Sequence, residues 1–374
     1  MKKEVILNLV ILVVFIALSI FVGANHEPWS DEAQSWLIAR DATVGEILCT
    51  IERYEGTPPL WHLLLKVLIN LGYKYEYLYL ISVFFSSLGV VLLLFKLKLP
   101  NVIKILLPFT YFFLYEYTVK ARSYCLIFPL LVLIAIIYKD RKEKVILYNF
   151  LLAILASISL HSALISGILY LFEVYEIFIS IIKESKVKKY IKSLICSGIL
   201  GIFYGLILFC IIPTEDVLVS ATITSILSSE GNIFLHFVWL FINLLEAFTL
   251  NTDMAFFHFI ISSIYFVIMM FLILRKNKKK ILFLSIFLGE VLFILLIRVT
   301  NHHIGLMLYT FLFALYLVKD EIIEKNKKLL CIMLIVMFVI QILWSVITII
   351  PEIKYNYSAA QDVSQYLKEK DYKN

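Results

Sequence analysis

The feature that most constrains the fold of this chain is a series of long apolar runs. Each run covers roughly 16 to 22 residues and is bounded by Lys, Arg or Pro. A helix needs about 20 predominantly apolar residues to cross a bilayer, so these runs predict membrane-spanning helices. The composition agrees, since 61% of the 374 residues are hydrophobic and only 17% are charged, whereas a soluble domain has about a quarter charged. The sequence therefore predicts an all-α, polytopic integral membrane protein of the cell membrane.

The basic residues predict which side of the membrane each loop faces. Basic clusters lie between the apolar runs at residues 96–104, 139–144, 183–192, 275–280 and 319–328, and loops of this kind prefer the cytoplasm. All of them can be cytoplasmic only if an even number of spans separates neighbouring clusters. This condition predicts about eleven spans, a cytoplasmic amino terminus and an extracytoplasmic carboxyl terminus. It also explains the net charge of +6 without a nucleic-acid partner. The predicted spans are residues 5–24, 77–95, 102–117, 122–138, 145–160, 163–182, 193–213, 254–274, 281–298, 303–318 and 329–350.

The apolar run at the amino terminus has two interpretations. A small-residue site near Ala24 would suit a cleaved signal peptide, but the run is longer than a typical signal core, which favours an uncleaved first span. With that interpretation, residues 1–350 form a transmembrane domain whose first external loop covers residues 25–76. Residues 351–374 form a short external tail.

Two apolar segments remain outside the eleven spans. Residues 58–72, PPLWHLLLKVLINLG, are too short to span, and their polar stripe predicts a helix that lies flat in the interface. Residues 44–54 have one apolar face and predict the same. Residues 233–250 predict a re-entrant or interfacial helix, and a spanning helix there would raise the count to twelve. The polar stripe of the first segment consists of His62, Lys66 and Asn70, and the segment opens on the helix-starting pair Pro58-Pro59.

Several charged residues fall on the predicted outer face. The basic ones oppose the positive-inside preference, so each needs an acidic partner or an anionic ligand. The sequence therefore predicts that the functional site lies outside. The basic residues are Arg40, Arg53, Lys66, Lys74, Lys120, Arg122 and Arg298, and the acids are Asp31, Glu32, Asp41, Glu52, Glu55 and Glu116.

The segment PWSDEAQSW, residues 28–36, places the adjacent acids Asp31 and Glu32 just after the first span. One interpretation is helix capping, with Ser30 as the N-cap and the acids in the first turn, for about 1 kcal/mol in all. The other is general base catalysis, because neighbouring carboxylates raise each other's pKa and a nearby arginine lowers it. The spacing leaves both interpretations open.

The segment LYEYTVKARSYCL, residues 114–126, forms a turn between two predicted spans. Its Glu116, Lys120, Arg122 and Tyr124 have two interpretations. Tyrosines and basic residues often anchor span ends in the interface. Alternatively, Arg122 and the neighbouring hydroxyls could clamp a phosphate at headgroup depth, through the fork geometry of the guanidinium.

Histidines mark two further predicted outer turns. His161 lies at a span end, where a plain polar contact competes with a functional role, and Arg298, His302 and His303 share another turn. The histidine pair leaves a divalent metal possible, but adjacent histidines point apart on a helix, so none is indicated. Glu290 is predicted at membrane depth, where an unpaired carboxylate is destabilising, and this makes it a functional candidate by default.

Three motifs occur in an order that resembles a known family. PWSDEAQSWLIARD follows the first span, EGTPPLWHLLL comes about two dozen residues later, and YTVKARSYCL follows the next two spans. They resemble the bacterial relatives of the protein O-mannosyltransferases and lipid A aminoarabinose transferases. These belong to the GT-C superfamily of membrane glycosyltransferases, with the Rgt-type lipopolysaccharide sugar transferases. The similarity is clearest over residues 1–165, with weaker similarity to about residue 318.

The resemblance implies a polyprenyl-phosphate-linked sugar as donor, an extracytoplasmic acceptor (a cell-envelope glycan, lipid or protein) and transfer with inversion. It implies that Asp31, with Glu32 beside it, acts on the acceptor. Arg122, Lys120 or Arg53 could neutralise the growing charge of the leaving phosphate, so no cofactor is required. Members often carry His or Lys before the Pro-Pro pair, whereas Gly56-Thr57 stand there in this chain, so a donor-contacting group is missing. The candidate substrate-binding residues are Arg122, Lys120, Tyr124, Glu116, Arg53, Pro58, Pro59, His62, His161, Arg298 and His302.

Two other classes of function remain open. A lipid-linked polysaccharide polymerase or ligase would share the external basic residues, but it need not have an acidic pair directly after the first span. A lipid or sugar transporter would place charges deep in several spans and often shows repeated halves. The sequence shows no internal repeat, and most of its non-cytoplasmic charges gather at outer turns, which favours the transferase.

Overall fold

The computed structural model describes residues 2–214, 233–249, 256–296, 303–355, 358 and 360–370. Within these ranges the chain consists of helices and turns, without strands. In the first half the helices are α1 (Lys2–Asn25), α2 (Ser30–Asp41), α3 (Val44–Glu46, the π-helical turn Ile47–Ile51, and Glu52–Glu55), α4 (Leu60–Asn70), α5 (Leu78–Lys96), α6 (Asn101–Leu106), the π-helical α7 (Phe112–Val119), α8 (Ile127–Ile137), α9 (Val145–Ala156), α10 (Leu160–Glu184) and α11 (Val187–Ile211). The second half contains α12 (Ile233–Thr249), α13 (Phe256–Leu274), α14 (Lys280–Leu296), α15 (Ile304–Val318), α16 (Glu324–Lys354) and α17 (Ala360–Glu369).

In the described part of the chain, seven helical stretches are long and apolar enough to cross a membrane. They contain α1, α5, α8, α10, α11, α13 and α16, and the pair α6–α7, bent by 45°, is an eighth candidate. The predicted all-α, multi-pass architecture is therefore confirmed by helix length and hydropathy. Within the described residues, the predicted spans 145–160, 281–298 and 303–318 contain α9, α14 and α15, whose described lengths are 12, 17 and 15 residues. The count of eleven spans and the orientation stay predictions.

Large apolar side chains cover the outward faces of several long helices. Val13 on α1 is 63% exposed, Ile202 on α11 is 69% exposed and Phe257 on α13 is 77% exposed. Soluble monomers rarely expose contiguous apolar surface of this kind, because water disfavours it. Lipid tails do not disfavour apolar surface, so these faces suit contact with a bilayer.

Aromatic side chains fill the centre of the bundle where α1, α7, α8 and α15 meet. Phe113 on α7 contacts the rings of Phe15, Phe128 and Tyr309, with centroid distances of 6.0, 4.3 and 5.8 Å. Tyr117, one turn further along, lies 5.1 Å from the ring of Tyr309. Each such pair adds about 0.5–1.5 kcal/mol beyond its buried area. This packing fixes α7, and with it the turn that follows α7.

The predicted interfacial segment, residues 58–72, forms α4, which packs against α2. Pro58 and Pro59 are buried and directly precede the helix, which confirms the predicted start. Gly72 lies just beyond the helix end with φ of +87°, a left-handed conformation that favours glycine. The described chain therefore places the short helix where its start and stop residues predict it.

The polar stripe of α4 is not uniformly exposed, since His62 is buried, Lys66 is half-buried and Asn70 is exposed. His62 is 3% exposed and pairs with Glu52. Lys66 donates to the carbonyl of Ala42 just beyond the end of α2, where carbonyl groups lack helical partners. Asn70 is exposed as predicted. The stripe holds α4 to the neighbouring helices because it satisfies buried polar groups there.

Three of the predicted cytoplasmic loops meet at one end of the bundle, which we call the basic end. Lys139 Nζ lies 2.5 Å from Asp320 Oδ2, and Lys319 donates to the carbonyl of Lys98. Helix α1 starts near this end, since Asn8 donates to a carbonyl in the last turn of α5 at 3.1 Å. The opposite end, where α1 stops and α2 begins, is called the site end.

Candidate active site

An ion pair joins Asp31 and Arg122 at the site end. Asp31 lies in the first turn of α2, and Arg122 lies in the turn between α7 and α8. Asp31 Oδ2 is 3.2 Å from Arg122 Nη1, and the two side chains are 43% and 20% exposed. The guanidinium carbon of Arg122 lies 5.1 Å from the ring centroid of Tyr124. The structure thus brings together three candidate residues that belong to separate segments of the sequence.

Arg122 retains capacity to bind an anion. Its Nη1 atom is buried and, although it faces Asp31, it makes no hydrogen bond within the described residues. The exposed fifth of the Arg122 side chain is the part that an external anion can reach. A guanidinium also matches carboxylate and phosphate oxygens through parallel N–H donors. The half-exposed carboxylate of Asp31 and the guanidinium of Arg122 together form a site where a proton acceptor lies beside a group that can bind an anion.

Glu32 has a different environment from its neighbour, because it is only 1% exposed. Its carboxylate accepts from the backbone N–H of Trp29 at 2.8 Å, from that of Ala121 at 2.6 Å and from His26 Nε2 at 2.9 Å. The predicted capping role applies to Glu32, although Trp29 rather than Ser30 occupies the N-cap position. The bond to Ala121 ties the start of α2 to the turn that carries Arg122.

His26 extends this network to the far end of the chain. Its Nδ1 lies 2.5 Å from Glu352 Oε1, and Tyr115 donates to the other oxygen of Glu352 at 2.6 Å. Burial lowers the pKa of His26, but hydrogen bonds to Glu32 and Glu352 outweigh it and raise the pKa to about 9. A protonated His26 therefore lies between two carboxylates. His26 and Glu352 were not predicted as site residues, since nothing in the sequence couples positions 326 residues apart.

Lys120, two residues before Arg122, is buried rather than exposed to a ligand. It is 2% exposed, lies 2.7 Å from Glu116 Oε2 and stands 3.4 Å above the ring of Trp29. Burial lowers the pKa of Lys120, and Glu116 opposes the shift. Tyr111 also donates to Glu116 at 3.2 Å. Lys120 and Glu116 thus compensate each other inside the protein, which distinguishes them from Arg122.

The candidates of the first external loop form a separate group. His62 Nδ1 lies 2.8 Å from Glu52 Oε1, and both side chains are buried. Burial raises the pKa of Glu52, and His62 opposes the shift. Arg53 donates to the carbonyl of Ile212 at 2.9 Å, just beyond α11. Pro58 and Pro59 lie beside the loop before α10, because the next residue donates to the Ser157 carbonyl at 3.1 Å. None of these contacts brings the group to Arg122.

His161 belongs to a buried cluster that reaches the candidate site through aromatic rings. Its Nδ1 lies 2.5 Å from Glu290 Oε1, and Glu290 is fully buried. The His161 ring stacks on that of His303 at 5.2 Å, and His303 packs edge-to-face on Tyr124 at 5.7 Å. Glu290 thus has the partner that a carboxylate at membrane depth requires. His303 is the link that sequence reasoning did not assign. Arg298 and His302 lie outside the described residues.

In the described residues, no group of three or more His, Cys, Asp or Glu side chains is arranged to hold a metal ion. Comparison of the chain with protein-family models, with curated proteins and with solved structures finds no match. The function must therefore be argued from the arrangement of the residues.

Proposed function

We propose that this chain is a membrane glycosyltransferase of the GT-C type, which transfers a sugar from a polyprenyl-phosphate donor to an extracytoplasmic acceptor with inversion. The observation that carries the proposal is the partly exposed Asp31–Arg122 ion pair at the site end. It combines a proton acceptor with an anion-binding group, and such a transfer needs both. The motifs that resemble the superfamily are also neighbours in space, since Glu32 bonds to Ala121 and α4 packs on α2.

In this mechanism Asp31 accepts the proton of the acceptor hydroxyl. The acceptor oxygen attacks the anomeric carbon from the face opposite the phosphate, so a new glycosidic bond forms as the bond from carbon to phosphate oxygen breaks. The electron pair of the broken bond leaves with the polyprenyl phosphate. Arg122 stabilises the negative charge that develops on this leaving group. A single displacement of this kind inverts the anomeric centre.

The buried network around Glu32 gives the proposed catalytic pair its rigid support. Glu32 ties α2 to the α7–α8 turn, and His26 ties both to Glu352 on α16. Rigid placement matters because a carboxylate acts as a general base only within hydrogen-bond reach of the proton it accepts. The assignment of the base to Asp31 rather than Glu32 rests on this contrast, since Glu32 is occupied by three donors.

We place the site on the extracytoplasmic face. Three basic loops lie together at the opposite end of the bundle, through Lys139, Lys319 and Lys98, and basic loops prefer the cytoplasm. This orientation also puts the phosphate of a membrane-embedded donor near Arg122 at headgroup depth.

Binding of the spent carrier tests the proposal without knowledge of the sugar. We expect the protein in nanodiscs to bind undecaprenyl phosphate more tightly than a neutral polyprenol of equal length. Arg122→Ala should weaken phosphate binding by about tenfold or more, because a hydrogen bond to a charged group contributes about 1.5–3 kcal/mol. Arg40→Ala is the matched control, since Arg40 on α2 pairs with its own neighbour Asp41. Equal binding of the two lipids would refute a lipid-phosphate donor, and unchanged affinity in Arg122→Ala alone would remove that residue from the phosphate site.

A further inference from the structure

A second feature lies at the basic end, away from the proposed catalytic pair. An apolar cavity of about 330 Å³ lies between α5, α6, α8, α15 and α16. Leu97, Ile103, Val132, Phe313 and Leu334 are among the residues that form its walls. Its volume falls at the lower end of the range of about 300–1,000 Å³ that is typical of ligand sites.

Aromatic rings separate this cavity from the candidate active site. Phe128 and Tyr309 line the cavity, and both pack against Phe113. Tyr117 lies between Tyr309 and Tyr124, with centroid distances of 5.1 and 5.5 Å. Phe113 and Tyr117 are each 1% exposed, so this layer is closed. The cavity is thus separated from Arg122 by buried rings.

The mouth of the cavity is positively charged. Lys98, Lys319 and Lys327 line it together with Asp320, and Lys139 already pairs with that carboxylate at 2.5 Å. Burial lowers the pKa of Lys319 to about 8, and nearby lysines add to the shift although Asp320 opposes it. A pKa lowered in this way means that burial, together with the neighbouring lysines, disfavours the cation. An anion at the mouth would reverse this and stabilise Lys319.

We propose that this cavity binds an anionic phospholipid of the leaflet at the basic end, with an acyl chain between the helices and the phosphate at Lys98, Lys319 and Lys327. Basic pockets between membrane helices are suited to anionic head groups. A zwitterionic lipid brings no net negative charge to the lysines, and inorganic phosphate would not fill the apolar walls. The lipid is separated from Arg122 by the aromatic layer, so the proposal does not depend on the glycosyltransferase assignment.

Lipid titration followed by native mass spectrometry tests this site. The purified full-length protein is titrated with phosphatidylglycerol or phosphatidylcholine of identical acyl chains. We expect wild-type protein to retain phosphatidylglycerol several-fold better, and the triple variant Lys98→Gln, Lys319→Gln, Lys327→Gln to lose this preference. The matched control is Lys186→Gln, Lys188→Gln, Lys192→Gln, which removes the same charge from exposed residues of another basic loop and should keep the preference.

A second variant tests the cavity without changing any charge. Ala135 lines the cavity and is 8% exposed, so Ala135→Phe fills part of it and should reduce retention of both lipids. Equal retention of the two lipids by wild-type protein would overturn the proposal, as would a preference that survives the lysine triple variant or an Ala135→Phe variant that binds as wild type does. Displacement of phosphatidylglycerol by undecaprenyl phosphate would assign the cavity to the carrier lipid and would also overturn it.

Discussion

The site end and the basic end hold their charged residues in different ways. At the site end Glu32 is 1% exposed and bound by three donors, one of which is the buried His26. At the basic end the paired side chains of Lys139 and Asp320 are 76% and 51% exposed. The Glu32 network is part of the protein interior, whereas the Lys139–Asp320 pair lies in the surrounding solvent or headgroup layer.

This difference separates structural charges from charges that set orientation. A buried ion depends on its partners, because removal of one partner leaves an uncompensated charge in a poorly solvated place. An exposed pair is screened and contributes little to stability, although the basic residues of its loop still affect which side of the membrane the loop faces. Asp31 and Arg122 lie between these extremes, since they rest on the buried network but remain partly exposed. That intermediate position is what a site for a charged substrate requires.

The largest expected effect is on catalysis, in Asp31→Asn. If Asp31 is the general base, its amide cannot accept the proton, and transfer should fall by about 10²–10⁴-fold. Undecaprenyl phosphate binding and folding should be retained, because Asp31 is 43% exposed in its side chain. Sugar transfer is measured with the membrane-reconstituted enzyme once a donor and acceptor have been found by screening. Asp41→Asn, on the same helix, is the control and should remain active; full turnover by Asp31→Asn would exclude it as the base.

The next effect is on stability, in Glu32→Gln. The amide would place an NH₂ group among the donors of Trp29, Ala121 and His26 and would leave the histidine charge with one carboxylate fewer. Loss of one partner of a buried pair is expected to cost about 3–5 kcal/mol. The midpoint of thermal unfolding in detergent should therefore fall well below that of Asp31→Asn, which makes the same change at the neighbouring position. Equal midpoints for the two variants would show that the buried network does not support the site.

Much of the fold follows from local pattern in the sequence. The apolar runs determine where the long helices lie, and Pro58-Pro59 and Gly72 bound α4 because their backbone preferences act locally. The proximity of Asp31 and Arg122 is consistent with the topology, since both follow spans that end on the predicted outer face. To predict that they pair, one must also assume that opposite charges on the same face form an ion pair.

The buried network could not be predicted in the same way. Glu352 lies in α16, which continues through Pro351 to Lys354, whereas the sequence divides the chain at residue 350. A single sequence carries no information about which carboxylate meets His26, because that depends on how helices from opposite ends of the chain pack. The inward orientation of His62 and Lys66 has the same cause, since helical periodicity shows that residues share a face but not what that face contacts.

The pH dependence of stability isolates the contribution of His26. Its pKa rises from 6.5 to about 9 in the folded protein, so the protonated form stabilises the fold. This contribution is complete below about pH 6.5 and is lost as the pH rises through about 9, on the order of 3 kcal/mol in all. The unfolding midpoint in detergent should decline over this range. In His26→Gln that part of the decline should be absent, and an unchanged pH profile would remove His26 from the network.

The smallest effect is expected at the basic end, in Lys139→Ala. The pair with Asp320 is short but exposed, and exposed pairs typically contribute about 0–1 kcal/mol because solvent and salt screen them. The unfolding midpoint should therefore change little, and a double-mutant cycle with Asp320→Ala should give a coupling energy in that range. A cost of several kcal/mol would contradict the contrast between the two ends, because it would show that the basic end depends on its charges as the site end does. A small coupling would instead mean that these lysines are retained for sidedness or for a ligand rather than for stability.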